Sequence, residues 1–134
     1  MTGYTRGRDF LVPAEKCLEL EHEAGYRSAI SRAYYAYYHE VCLMLRNCPP
    51  TTHDGVVNYL LNDARRKSEP YPLLALVQLG AVLRQQKVKR KKADYHLDQP
   101  TTPEESRSSV DVARKMIARI DELVRAAQPE MSES

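Results

Sequence analysis

The stretch Tyr26-Arg27-Ser28-Ala29-Ile30-Ser31-Arg32-Ala33-Tyr34-Tyr35-Ala36-Tyr37-Tyr38-His39-Glu40-Val41-Cys42-Leu43-Met44-Leu45-Arg46 decides the fold. Ala29, Ala33, Tyr37, Val41 and Met44 recur at helical spacing along one face, and Ile30, Tyr34 and Leu45 widen it. Residues three and four apart stand above one another on a helix, so this stripe is the side that has to be buried. Alanines on successive turns let a neighbouring helix come close. Cys48-Pro49-Pro50 ends the element, because two prolines in succession cannot continue the hydrogen-bond ladder.

The flanking sequence supplies the partners. A helix is expected over residues 13–22, with Pro13 in its first turn and Gly25 as the break after it. Thr51-Thr52-His53-Asp54 offers cap residues for a third helix reaching residue 67, with Val56, Val57, Leu60 and Leu61 as its apolar side. Pro70 and Pro72 separate it from a fourth over residues 73–92, apolar at its start and basic at its end, where cations complement the helix dipole. A connector over residues 94–103 follows. Thr102-Pro103-Glu104-Glu105 then opens the last helix, with Thr at the cap, Pro at the first position and Glu three residues after the cap. Val110, Ala113, Ile117, Ile120 and Val124 repeat at alternating spacings of 3 and 4, an apolar seam. No segment alternates as a strand would. The expectation is an all-α, up-and-down bundle of four to five helices, with residues 1–127 forming one domain and residues 128–134 a polar tail.

The 134 residues suffice for one hydrophobic core, and 43% hydrophobic against 28% charged residues is the balance of a globular chain. Nine tyrosines and a single Phe, with no Trp, mean that tyrosine carries the aromatic burial, its hydroxyls reaching water or a partner. The three cysteines, Cys17, Cys42 and Cys48, form no CxxC pair, so neither a disulfide framework nor a zinc knuckle is indicated. His22 and His39 have no carboxylate at ligand spacing, so no metal site is expected. No apolar run approaches a membrane span and no signal segment is seen, which makes a reducing cytoplasm the expected location and a membrane partner unexpected. Glycine-rich phosphate loops are absent, which argues against an NTPase.

The net charge is only +2, but six cations and no acid lie between Arg84 and Lys92. Lys87, Lys89, Lys91 and Lys92 in this run form an expected polyanion-binding edge, against the plain alternative of a solvated helix face. The run leads into Arg90-Lys91-Lys92-Ala93-Asp94-Tyr95-His96. Arginine can neutralise phosphate charge, and histidine can move a proton near neutral pH. On a continuous helix these two residues, six apart, stand about 120° from each other. Either the helix breaks between them or a second chain brings its copy alongside. Asp94 has the spacing for an ion pair with Arg90. Tyr34 and Tyr37 read as core, whereas Tyr35 and Tyr38 read as interface or ligand residues. His53 reads as a helix-start residue that could also face a cleft.

Three segments together resemble the HEPN domain family: residues 28–36 in the tyrosine-rich helix, Thr52-His53-Asp54-Gly55-Val56 opening the third, and Arg90-Lys91-Lys92-Ala93-Asp94-Tyr95 ending the fourth. The resemblance spans most of the chain. It implies a compact helical bundle that dimerises. It also implies a metal-independent ribonuclease site made of an Arg and a His separated by four to six residues, at the dimer cleft. Arg90 and His96 fit that spacing as the catalytic pair, with Asp94 and Tyr95 in support, Tyr35, Tyr38 and His53 near the cleft, RNA as substrate, and no cofactor. A toxin or defence effector of this kind would meet an antitoxin or a nucleotidyltransferase-like partner. The alternatives are a non-catalytic module of the same shape, binding RNA, a nucleotide or such a partner, and a purely structural bundle.

Overall fold

The computed structural model describes residues 5–128, which form an all-helical bundle with no strand among them. The tail expected over residues 128–134 lies outside the described residues apart from Gln128. A 3₁₀ turn, Gly7–Phe10, runs directly into α1, Leu11–Glu19. The remaining α-helices are α2, Glu23–Met44; α3, His53–Asn62; α4, Leu73–Tyr95; and α5, Pro103–Ala126, with a second 3₁₀ turn, Ala64–Ser68, after α3. Helix α2 is the hub, packing against α1, α4 and α5, while α3 covers part of α4.

Several boundaries differ from the sequence reading, each for a local reason. Helix α1 stops at Glu19 because Glu21 takes a left-handed conformation (φ 55°) and turns the chain back. His22 is then the cap of α2, its Nδ1 accepting from the Gly25 amide at 3.2 Å. Gly25 is therefore no break. It sits in the first turn of α2, where a Cβ would stand 2.6 Å from the Cys17 carbonyl oxygen. Helix α3 ends five residues short of 67, because Asp63 is extended (ψ 128°) and its carboxylate accepts from the Arg65 amide at 2.8 Å, starting the 3₁₀ turn. Helix α4 runs to Tyr95, so the connector starts at His96 instead of Asp94. The expected start of α5 holds: Thr102 and Glu105 form the reciprocal capping box, with Pro103 at the first position.

The interior is wired by polar anchors as well as filled. Tyr37 donates to the Leu79 carbonyl at 2.6 Å and Tyr71 to the Met44 carbonyl at 2.7 Å, so buried rings also fix α2 against α4 and against the segment that leads into it. Buried Glu69 accepts from the Arg46 and Asn47 amides at 2.9 and 2.8 Å and from the Tyr59 hydroxyl at 2.6 Å. It thus satisfies the chain just after the end of α2, where amides would otherwise lack partners. Glu40, 1% exposed, accepts from Arg6 and Arg8 side chains, each at 2.8 Å, and Arg8 reaches on to Asp121 of α5 at 2.7 Å. Burial alone would push the Glu40 carboxyl up, but the Arg8 hydrogen bonds and the charges of Arg8 and Arg6 outweigh it and hold it below its ordinary value.

Candidate functional site

The middle of α2, the start of α3 and the last turns of α4 meet around Arg90. Gly80 lets α3 lie close on α4, since a Cβ there would come within 2.8 Å of the Leu60 Cβ. That approach brings the start of α3, His53-Asp54, alongside the basic half of α4. From α2, the stripe Arg27, Ile30, Ser31, Tyr34 and Tyr38 faces the same region at helical spacing.

Arg90 is held on several sides. Its guanidinium lies over the rings of Tyr34, Tyr35 and Tyr95 at 5.3, 5.6 and 5.9 Å and bonds Asp94 at 3.3 Å. Asp94 is itself approached by the Ser31 hydroxyl at 3.4 Å. The Arg90 side chain is 11% exposed, and its Nε is buried without a hydrogen-bond partner. Burial works against its charge, yet the neighbouring Tyr35 and Asp94 leave its pKa raised, so the cation is fixed.

Among the described residues, the histidine in these surroundings is His53. Its Nδ1 lies 2.8 Å from the Tyr34 hydroxyl, and its ring stacks on Tyr38 at 3.8 Å with 12° between the planes. Burial, followed by the charges of Lys87 and Arg90, lowers its pKa. The imidazole is therefore neutral at pH 7. His39 extends the aromatic row, stacking on Tyr35 at 6.1 Å. Tyr35 is half-buried in this row, but Tyr38 is buried under His53, so the reading of Tyr38 as an open ligand residue does not hold.

His96 is placed differently. It is the exposed capping residue of α4, and its amide bonds the Lys92 carbonyl at 3.0 Å. Because the helix is unbroken through Tyr95, a break before Tyr95, one of the two ways in which Arg90 and His96 could meet, is absent, and ideal helix geometry sets the two positions about 120° apart within one protomer. Among the described residues, no side-chain hydrogen bond holds the His96 ring.

Arg27, which the sequence reading passed over, sets where this end of α4 lies. Buried beneath it, the guanidinium donates to the carbonyls of Lys92, Ala93 and His96 at 3.3, 3.0 and 3.3 Å and also to that of Gln99. Glu23 pairs with Arg27 at 3.3 Å and accepts from the Thr101 amide at 3.1 Å. These carbonyls include the ones a helix C-terminus leaves without partners. The readable signal was a cation in register with Ile30 and Tyr34 on the α2 face.

The basic run is only partly free. Lys87 is paired with Asp54 and its side chain is 14% exposed, while Lys92 meets Glu105 at 3.2 Å. Arg84, Lys89 and Lys91 have no ion-pair partner among the described residues. Within the same limits, no cluster of His, Cys, Asp and Glu could hold a metal ion, and no helix is long and apolar enough to cross a membrane.

No protein-family model matches the chain, and no solved structure does. A protein of Methanocaldococcus jannaschii named "Putative toxin MJ0605" is 34% identical over 101 residues, covering 71% of this chain and 68% of the relative.

Proposed function

The chain belongs to the toxin-like family that includes MJ0605 of M. jannaschii, and from that premise we propose that it is a toxin acting as a metal-independent endoribonuclease of the HEPN type. The observation that carries this reading is the fixed Arg90 cation, aimed by Asp94 and backed by three tyrosine rings. A guanidinium held in advance of the reaction stabilises charge developing on phosphoryl oxygens without reorganising.

His96 is the proposed proton carrier. It takes the proton from a ribose 2′-hydroxyl, whose oxygen then bonds the adjacent phosphorus as the bond to the 5′-oxygen breaks. A second protomer's His96, protonated, gives its proton to that leaving oxygen. The products are a 2′,3′-cyclic phosphate and a 5′-hydroxyl. Since Arg90 and His96 diverge on one helix, the reading requires a homodimer that sets one protomer's His96 opposite its partner's Arg90. Lys89 and Lys91 hold the RNA backbone, with Lys87 and Lys92 joining when polyanion displaces their acidic partners, so activity falls with salt. Tyr95 and Asp94 keep Arg90 in place, and Tyr35 and His53 border the cleft.

Labelled RNA incubated in chelator with wild type, Arg90→Ala and His96→Ala tests this directly. Cyclic-phosphate ends from wild type alone support it; cleavage that needs magnesium, or that survives both substitutions, refutes it. One observation favours a second reading, a non-catalytic module that binds RNA, a nucleotide or a nucleotidyltransferase-like partner. Arg90 is already paired and the His96 ring has no orienting partner. That module would bind RNA in a salt-sensitive way with no turnover, and His96→Ala would leave binding unchanged. An antitoxin partner belongs to either reading.

A further inference from the structure

Helix α4 is apolar on two sides, and only one is covered. Leu76, Leu79 and Leu83 are buried against the bundle. On the opposite side Leu74, Ala81, Val88 and Tyr95 follow one another at intervals of seven, and all four are exposed, at 69, 65 and 69% for Leu74, Val88 and Tyr95. Single exposed apolar residues are ordinary, and here Gln78, Arg84 and Gln85 stand between them, but Leu74, Val88 and Tyr95 share one solvent-facing side of the helix at a fixed interval, a mixed apolar and basic surface.

The spacing says what shape the contact has. Seven residues fall about 20° short of two full turns, so a seven-residue stripe stays in register only with a helix that coils around it. The flank says what charge it has. Arg84 and Lys91 are also seven apart, each within four residues of Val88, and neither has an ion-pair partner among the described residues. Positions beside such a seam set partner choice by charge. The only acid of α4, Asp94, is engaged by Arg90. A second copy presenting the same face of α4 would therefore bring more cations to the seam and no free carboxylate.

We propose that the outer face of α4 is the docking surface for an amphipathic helix of a partner protein that lines an apolar seam with acidic residues. This surface stands independently of RNA cleavage. Its consequence for a toxin rests on the preceding reading: Lys91, which flanks the stripe, is also one of the cations proposed to hold the RNA backbone, so a seated acidic helix competes with RNA for it.

The test uses the full chain and two synthetic helical peptides of about 25 residues, enough to span the ~32 Å from Leu74 to Tyr95. Both carry the same leucine seam, one flanked by glutamates and the other by lysines. Fluorescence anisotropy is expected to show binding of the acidic peptide that weakens with salt, with Val88→Asp and Leu74→Glu each weakening it about tenfold or more. Both positions face solvent, and circular dichroism checks that each variant is folded. Equal binding of the two peptides, no binding of the acidic one, or unchanged affinity in the folded variants overturns the proposal. So does a homodimer in sedimentation that Val88→Asp dissociates, which would assign the seam to a second copy, or RNA binding that Leu74→Glu, remote from the lysines, abolishes, which would assign it to nucleic acid. Failure of the RNA-cleavage assay leaves the peptide result standing.

Discussion

Replacing Arg27 with Met keeps most of the side-chain volume and removes every donor that closes the end of α4. Four carbonyls, those of Lys92, Ala93, His96 and Gln99, then lose a charged partner, and Glu23 loses its cation. A hydrogen bond to a charged group contributes about 1.5–3 kcal/mol, but the four share one guanidinium and are not additive. Water can reach some of the freed carbonyls, and the substitution also removes the cost of burying a cation. The net loss should be about 3 kcal/mol, which for a chain of this size lowers Tm by about 10 °C. The assay is urea and thermal unfolding followed by circular dichroism, together with amide hydrogen exchange resolved along α4. Exchange is expected to speed up most at His96 and Gln99, whose amides bond Lys92 and His96 carbonyls. Arg27→Lys should fall between wild type and Met, because one ammonium cannot reach across the same fan of acceptors. A loss below about 1 kcal/mol, or a global loss with unchanged exchange at His96 and Gln99, would refute the role assigned to Arg27.

Other perturbations test other links. Glu69→Gln replaces one accepting oxygen with an amide that cannot serve the Arg46 or Asn47 amide, so unfolding should show a loss of about 1–3 kcal/mol; an unchanged midpoint would contradict the anchoring role. His53 has a folded pKa below its unfolded value near 6.5, so the unfolded chain binds more protons in between. That part of stability is complete above about pH 7 and is lost as pH falls through the folded pKa. His53→Gln should flatten the decline in urea midpoints between pH 8 and pH 5.5, and an identical slope would discount it. In the RNA assay, Arg90→Ala should reduce cleavage by about a hundredfold or more and also lower stability by about 1–3 kcal/mol, because it strands Asp94 and uncovers the tyrosine rings. His96→Ala, at an exposed cap, should reduce cleavage likewise while barely moving Tm, and a large fall in Tm would show that it acts through folding.

The helices were legible wherever a periodic apolar face met a local stop signal. The capping box at Thr102 depends on neighbours in sequence and read correctly, whereas the proline pair at Pro49 put the end of α2 at Arg46, two residues past Met44, where Leu45 already turns extended. The end of α4 did not read correctly, because its continuation past Asp94 depends on Arg27, more than sixty residues away. The Arg90–Asp94 pair was visible as a spacing, and the structure closes it. The arrangement of Tyr34, Tyr38 and His53 was not, since it requires α3 to lie on α4 at Gly80, a fact of packing and not of pattern. Lys87 and Lys92 read as free cations for the same reason: Asp54 and Glu105, which neutralise them, come from other helices.

The clasp through Arg8 ties residues 113 positions apart in the chain. During synthesis Arg6, Arg8 and Glu40 emerge early and can pair with one another, but the bond from Arg8 to Asp121 cannot close until α5 has left the ribosome. A nascent or prematurely terminated chain lacking α5 would expose the apolar side of α2 and leave half of this ionic knot untied. The same last helix thus completes both the apolar cover of α2 and the ionic closure of the bundle.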